Sequence, residues 1–248
     1  MAMRADKVKT EVSRRTFLAG SAGATLVMGL GVVLPGCSKE EAATDMVAGD
    51  MSRSFAPTIW FEIDSDGAVL VNITKAEMGQ HVGTALARIV ADELGADWDS
   101  VTIKHVDSDP KWGFMVTGGS WSVTTSFTML SQAGAAGRTI LCEAAAALLG
   151  VDAADCSAAN GVVTAGGKEM TFAEIVRVGD ISRTFTEEEL GALPVKAAAD
   201  RTLIGKATRA IDIPEKAGGS AVYGLDVELP DMVYAHPLIP PTRYGSTI

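Results

Sequence analysis

The 248-residue sequence predicts an α+β fold, on three observations. Two β-rich runs, residues 58–63 and 68–74, flank the turn Asp64-Ser65-Asp66-Gly67 and read as a hairpin. Leu86, Ile89, Val90 and Leu94 then recur at helical spacing and stop at Gly95, where a left-handed C-cap is wanted. After a strand predicted over residues 101–106, an Ala-rich segment over 124–149 reads as a second, longer helix ending at Gly150.

The second strand of the hairpin delivers Glu77-Met78-Gly79-Gln80 to the first helix, with Thr84 placed to cap its start. Gly79 and Gln80 therefore lie just before a helix N-terminus, where free N–H groups and the helix dipole favour an anion. Gly79 would let a ligand approach the backbone, and Gln80 adds an amide donor and acceptor. About 40 residues on, Gly118-Gly119-Ser120-Trp121-Ser122 opens the Ala-rich helix, so Ser120, Ser122, Thr124 and Thr125 gather at a second N-terminus. Together the loops read as an anion cradle. The competing reading is plain capping, since hydroxyls before a helix are ordinary caps.

Gly134, Ala135, Ala136, Gly137 and Ala144 to Ala146 keep the second helix slim for close packing, and Gly134 or Gly137 is a candidate kink. Arg138 reads as solvated or ion-paired. Cys142 and Cys156 stand either as a disulfide, in an oxidising compartment, or as two separate buried thiols. Trp112, Phe114 and Trp121 flank the Gly-Gly-Ser loop, either anchoring it to the core or lining a funnel for an aromatic substrate. Three histidines with no His-x3-His pair, and no Cys-x2-Cys, supply no zinc or iron–sulfur ligand set. Beyond Val178 the acidic, Ala-rich stretch 181–202 reads as a linker, and strand-like runs follow at 221–227 and 232–235.

The N-terminus carries Ser13-Arg14-Arg15-Thr16-Phe17-Leu18, a twin-arginine pattern before a Gly/Ala-diluted apolar run. Residues 1–37 are expected to be an export signal and 38–54 a polar tether, with the fold beginning at Phe55. Leu34-Pro35-Gly36-Cys37 is similar to a bacterial lipobox, which makes Cys37 a lipidation candidate. The chain carries a net charge of −10, and five of its basic residues precede residue 37, which argues against nucleic-acid binding.

From Trp60 to about Val178 the chain resembles the xanthine dehydrogenase/aldehyde oxidase family of molybdenum hydroxylases. The resemblance rests on Asp66-Gly67-Ala68-Val69, Glu77-Met78-Gly79-Gln80, Ala91-Asp92-Glu93-Leu94-Gly95, residues 101–106 and the Gly-Gly-Ser-Trp-Ser loop. This segment comes late in typical members and directly after the signal here, an order similar to the large subunit of isoquinoline 1-oxidoreductase and related periplasmic aldehyde dehydrogenases. Leu203-Ile204-Gly205-Lys206, Asp212-Ile213-Pro214, Tyr223-Gly224-Leu225-Asp226 and Met232-Val233-Tyr234-Ala235 resemble the opening of that family's hammerhead domain. One departure is His81, which stands where the family's Glu-Met-Gly-Gln-Gly loop has its last glycine.

The resemblance implies a permuted part of a molybdopterin-binding domain over 55–180 and the incomplete start of an α/β hammerhead domain over 203–248. It implies cofactor binding by Met78, Gly79, Gln80, His81, Gly119, Ser120, Ser122 and Thr124. The cofactor would be molybdopterin with molybdenum, as the cytosine dinucleotide. Implied partners are a small [2Fe–2S] subunit, the remainder of the large subunit and a c-type cytochrome. The implied reaction is hydroxylation of an aldehyde or N-heteroaromatic with water as oxygen source, in the periplasm after folded export. The catalytic glutamate of that scheme is expected outside these residues, so the chain alone is expected to be inactive, as a truncation, a split product or an excerpt. The alternative from another class is a cofactor-free exported lipoprotein that binds or scaffolds a partner.

Overall fold

The computed structural model describes residues 49–239 and Thr242. Arg14, Arg15 and Cys37 lie outside the described residues. A four-stranded sheet runs in the order β1 (Ser54–Thr58), β2 (Phe61–Asp64), β3 (Val69–Ile73), β4 (Val101–His105). The first two pairings are antiparallel and β3–β4 is parallel, with Val69 opposite Val101 and Ile73 opposite His105. The expected hairpin is present: Asp64 Oδ1 accepts from the N–H groups of Asp66 and Ala68, and Gly67 takes φ 83° to close the turn.

A parallel pair cannot be joined by a tight turn, and α1 (Val82–Leu94) makes the crossover. Its face of Leu86, Ile89, Val90 and Leu94 is buried against Phe61, Ile63, Val71 and Ile73 of the sheet. The long α2 (Ser122–Leu149) packs on α1, and both helices end on a left-handed glycine, Gly95 at φ 78° and Gly150 at φ 69°. Close approach explains Gly134. A Cβ there would lie 2.8 Å from the Val90 carbonyl oxygen and 2.7 Å from Glu93 Cβ. Gly134 and Gly137 thus sit within an unbroken helix, as contact points and not as breaks.

A second sheet, β5 (Ser157–Ala159), β6 (Val162–Ala165) and β7 (Lys168–Thr171), is made of two hairpins with two-residue turns. Asn160-Gly161 and Gly166-Gly167 all have positive φ, which is what such turns demand. A capping box of Thr171 and Glu174 then starts α3 (Phe172–Val178). Arg53 donates to the carbonyls of Arg177 and Gly179 at the end of α3. The fold therefore takes in Arg53 and Ser54, which the sequence had suggested as tether.

Residues 181–202 are more than a linker. They hold a short helix, α4 (Glu187–Ala192), and the chain then runs antiparallel along α1 to a last short helix, α5 (Ile213–Gly218). The Lys196 N–H donates to Glu93, Thr202 and Ile204 N–H to Asp92, and Ile211 N–H to the Thr84 hydroxyl. Arg88 donates to the carbonyls of Leu203 and Lys206. Thr84, Arg88 and Asp92 are spaced by one helical turn, so a polar stripe on α1 is the dock for this strap. Thr84 is consequently not a cap; it lies inside α1 and its hydroxyl serves the strap. The runs 221–227 and 232–235 form no strand: among the described residues no neighbouring strand pairs with them, and Leu225, Val233 and Tyr234 stay exposed.

Candidate functional site

Both loops singled out in the sequence lie at one end of the β3–α1–β4 unit. They are tied together by Lys75, which is only 5% exposed and donates to the carbonyls of Phe114 (3.1 Å) and Val116 (3.2 Å). Ala76 N–H adds a bond to the Thr117 hydroxyl at 2.8 Å. Together the loops enclose a cavity of about 420 Å³ lined by Met78, Gln80, Val82, Ala85, Thr117, Gly118, Gly119, Ser120, Ser122 and Val123. Of the eight sequence-predicted residues, Met78, Gln80, Gly119, Ser120 and Ser122 line the cavity, while Gly79, His81 and Thr124 stand beside it.

The first helix terminus does not have the free donors that the sequence suggested. Glu77 folds its carboxylate over it, accepting from the N–H groups of Gly79 (2.7 Å), His81 (3.2 Å) and Val82 (3.1 Å). Burial alone would push the Glu77 carboxyl up; the hydrogen bonds from Lys216, Gly79 and His81 outweigh it and hold the group below its ordinary value. Gln80 is also engaged within its own loop, accepting from Met78 N–H at 2.7 Å and donating to the Ala76 carbonyl at 2.9 Å. Gly79 N–H and the Gln80 amide, both expected to face a ligand, instead shape the loop. Open space surrounds the Cα of Gly79, so that loop presents an accessible backbone surface.

His81 takes the glycine-like conformation itself, at φ 58°, as the residue before α1. Such a φ costs a residue with a Cβ roughly 1 kcal/mol. Its ring Nδ1 lies 2.7 Å from Asp212 Oδ1, a contact that offsets the cost. Asp212 and Glu77 in turn share the Lys216 ammonium, at 2.5 Å and 2.7 Å.

The second helix terminus is open. Gly119 and Ser120 follow each other at φ 56° and 60°, which turns the chain sharply into α2. Trp121 N–H bonds back to the Gly118 carbonyl and Thr125 N–H to that of Trp121. Between them the N–H groups of Ser122, Val123 and Thr124 have no acceptor among the described residues, and no acidic residue stands in the first turn. The hydroxyls of Ser120, Ser122 and Thr124 are close in sequence to these donors. Gly118 has open space where a Cβ would be. Among the aromatics, Trp112 anchors on Trp60, with ring centroids 5.8 Å apart, whereas Phe114 and Trp121 are exposed near the cavity.

Unpaired donors around an open cavity fit an anionic group, and the apolar flank of Met78, Val82, Ala85 and Val123 fits a flat heterocycle beside it. No three His, Cys, Asp or Glu side chains converge among the described residues. Sequence reasoning missed Lys75, the inward turn of Glu77, and the pair Asp212 and Lys216. A lysine after a strand and a carboxylate two residues before a glycine look solvated in sequence, and Lys216 lies 139 residues from Glu77.

Residues 5–199 match the sequence profile of the family described as molybdopterin cofactor-binding domain. The chain is 49% identical over 245 residues to the membrane-bound aldehyde dehydrogenase [pyrroloquinoline-quinone] of Gluconacetobacter polyoxogenes, covering 97% of this chain and 31% of that protein. It is 29% identical over 261 residues to the isoquinoline 1-oxidoreductase subunit beta of Brevundimonas diminuta, covering 90% and 33%. Among solved structures, quinoline 2-oxidoreductase from Pseudomonas putida 86 superposes with a TM-score of 0.36 at 28% identity, covering 47% of this chain and 15% of that one. The chain spans about a third of the length of the curated relatives it matches. The match to the family profile extends over most of the chain, through both loops and both helices, and on that ground the chain belongs to the molybdopterin cofactor-binding domain family.

Proposed function

We propose that this chain is a cofactor-holding part of the large subunit of a molybdenum hydroxylase. The observation that carries the reading is the two-loop cavity with three unpaired N–H groups at the start of α2. When bound there, molybdopterin supplies a molybdenum centre that hydroxylates an electron-poor carbon with oxygen from water and accepts the two electrons released. The chain's own part is binding and orientation. Because Glu77 already fills the N-terminus of α1, the anionic end of the cofactor belongs at α2, against Ser122, Val123 and Thr124 N–H and the hydroxyls of Ser120 and Ser122. The Met78–Gln80 segment, tied by its own hydrogen bonds, would form the opposite wall, against the organic part of the cofactor.

The finer reading takes the cytosine dinucleotide form of the cofactor and an aldehyde or N-heteroaromatic substrate. It also takes a small [2Fe–2S] partner with a c-type cytochrome beyond it, and folded export to the periplasm through Arg14 and Arg15 with anchoring at Cys37. The aldehyde and isoquinoline activities in the names of the two relatives support the substrate class. A second cofactor calls for a direct test, since the name of the 49%-identical relative carries pyrroloquinoline-quinone. That compound is also a planar polyanion, and the same donors would suit it. Elemental analysis and oxidised-pterin fluorescence of the purified native complex, with its subunits identified, separate the cases. Molybdenum and pterin bear out the proposal; a quinone without molybdenum replaces it, and neither group in intact complex leaves the scaffold reading.

A further inference from the structure

The cavity's first wall is fixed by residues far from it in sequence. Glu77 is the centre of that arrangement: one carboxylate receives three backbone N–H groups of the Gly79–Val82 turn and the Lys216 ammonium. Asp212 Oδ2 lies 2.5 Å from the same ammonium as an ion contact, without hydrogen-bond geometry, and its Oδ1 lies 2.7 Å from the His81 ring Nδ1. Lys216 thus stands between two carboxylates, and the side chains of Glu77, Asp212 and Lys216 are only 13%, 11% and 17% exposed. Surface ion pairs are more exposed than this and contribute little. Here desolvation has been accepted on three charged groups, and the geometry they stabilise is the loop that carries Met78, Gly79 and Gln80.

We infer that Lys216, with Asp212 and His81, is the positioning group for the cofactor loop: it pins the Glu77 carboxylate to the N-terminus of α1 and so presets the Met78–Gln80 wall before anything binds. The inference rests on the cavity reading above and adds that the loop is preformed from α5, outside the matched family segment. Without the ammonium, Glu77 and Asp212 are left as two neighbouring carboxylates with no lysine or arginine between them. The contact that holds His81 at positive φ then repels the contact that holds the loop.

The test uses the native complex with Lys216→Met, Lys216→Arg and Val123→Glu. The last variant puts a carboxylate into the cavity at the second helix terminus, mimicking what Glu77 does at the first. Two quantities are read: pterin and molybdenum per chain after prolonged dialysis, and hydrogen exchange of the Gly79, His81 and Val82 amides. Lys216→Met is expected to speed that exchange about tenfold and to cut retained pterin several-fold, because charge-assisted hydrogen bonds are lost. Lys216→Arg should restore both, which a merely space-filling role would not require. If Val123→Glu empties the cavity while Lys216→Met keeps full pterin and slow exchange, the positioning inference is overturned and the cavity reading stands. A fully loaded Val123→Glu complex overturns both. Should Lys216→Met fail to assemble, Glu77→Gln, of equal size, takes its place: faster exchange with lost pterin supports the inference, and full pterin with slow exchange overturns it.

Discussion

Glu93→Gln is the sharpest probe of how the strap is held. Glu93 is fully buried and its carboxylate accepts from Arg201 Nη2 (2.7 Å), Arg138 Nη1 (3.1 Å) and the Lys196 N–H (3.0 Å). Arg201 is 7% exposed and Arg138 19%, so neither cation can turn to water when its partner is neutralised. The two guanidinium groups bond different oxygens of Glu93, so the Gln amide keeps an acceptor for one of them and turns a donor toward the other. Arg201 Nη1 already lacks a hydrogen-bond partner among the described residues. Breaking a buried pair from one side costs about 3–5 kcal/mol. For a domain of this size that corresponds to a fall in Tm of roughly 6–20 °C, taking about 2–4 °C per kcal/mol. Thermal unfolding of the purified chain against an Asp109→Asn control is the assay, because the Asp109–Lys111 pair is 3.7 Å apart and about half exposed. Limited trypsin digestion at Lys196 and Arg201 should accelerate in parallel as the strap loosens. Equal Tm values for Glu93→Gln and Asp109→Asn would refute the reasoning, since the buried cluster would then contribute no more than a solvated pair.

At the crossing of α1 and α2, Gly134→Ala should lower stability by about 1 kcal/mol net: the clash costs about 1–3 kcal/mol and helix propensity returns about 1. A rise in Tm would mean the two helices separate freely. The pH dependence follows from four groups. Asp92 and Asp212 are pushed up by burial, but this is outweighed for Asp92 by the N–H groups of Ile204, Thr202 and Leu203, and for Asp212 by Lys216 and His81. Both therefore lie below 3.8, and Glu77 lies below 4.5. Their stabilisation is present above those values and is lost as pH falls through the folded ones. Lys216 is pushed down by burial but raised above 10.5 by Asp212 and Glu77, so its share is present below 10.5 and lost at higher pH. Unfolding free energy should be flat with respect to these groups between about pH 5 and 10 and fall on the acid side, and Asp92→Asn should flatten part of that fall. An unaltered acid limb in Asp92→Asn would rule Asp92 out as a contributor. Finally, burial pushes the Cys142 thiol up to about 11, so at pH 8 its alkylation should be far slower than that of an exposed cysteine in the unfolded chain. Comparable rates by mass spectrometry would show that the site opens readily.

What sequence reading recovered was local. The Asp64–Gly67 turn and the glycines ending both helices are set by residues within a few positions of one another, so short-range chemistry suffices. The meeting of the two glycine loops could be guessed because each follows a strand of the same parallel pair and opens a helix. Electrostatic roles were the illegible part. Glu77 was expected to leave the helix terminus to a ligand, but a carboxylate already two residues from free N–H groups satisfies them at little entropic cost. Lys75, Asp212 and Lys216 reach the loops through partners distant in sequence: Phe114 and Val116, His81, and Glu77 respectively. The opposite failure occurred at 221–235, where alternating β-prone residues suggested strands. Propensity alone makes no ladder, and these residues find no adjacent edge.

The polar stripe on α1 also bears on where this protein can be cut. The family profile ends at residue 199, whereas the hydrogen bonds to Asp92, Arg88, Thr84 and His81 come from residues 202–212. A fragment trimmed to the profile's boundary would keep every buried apolar residue but lose Leu203, Ile204 and Ile211, which pack on the core, and leave a full face of α1 stripped of its bonding partners. A stable fragment is expected to need a boundary beyond Gly219, because the segment matched by the family profile stops short of the residues that dock on α1.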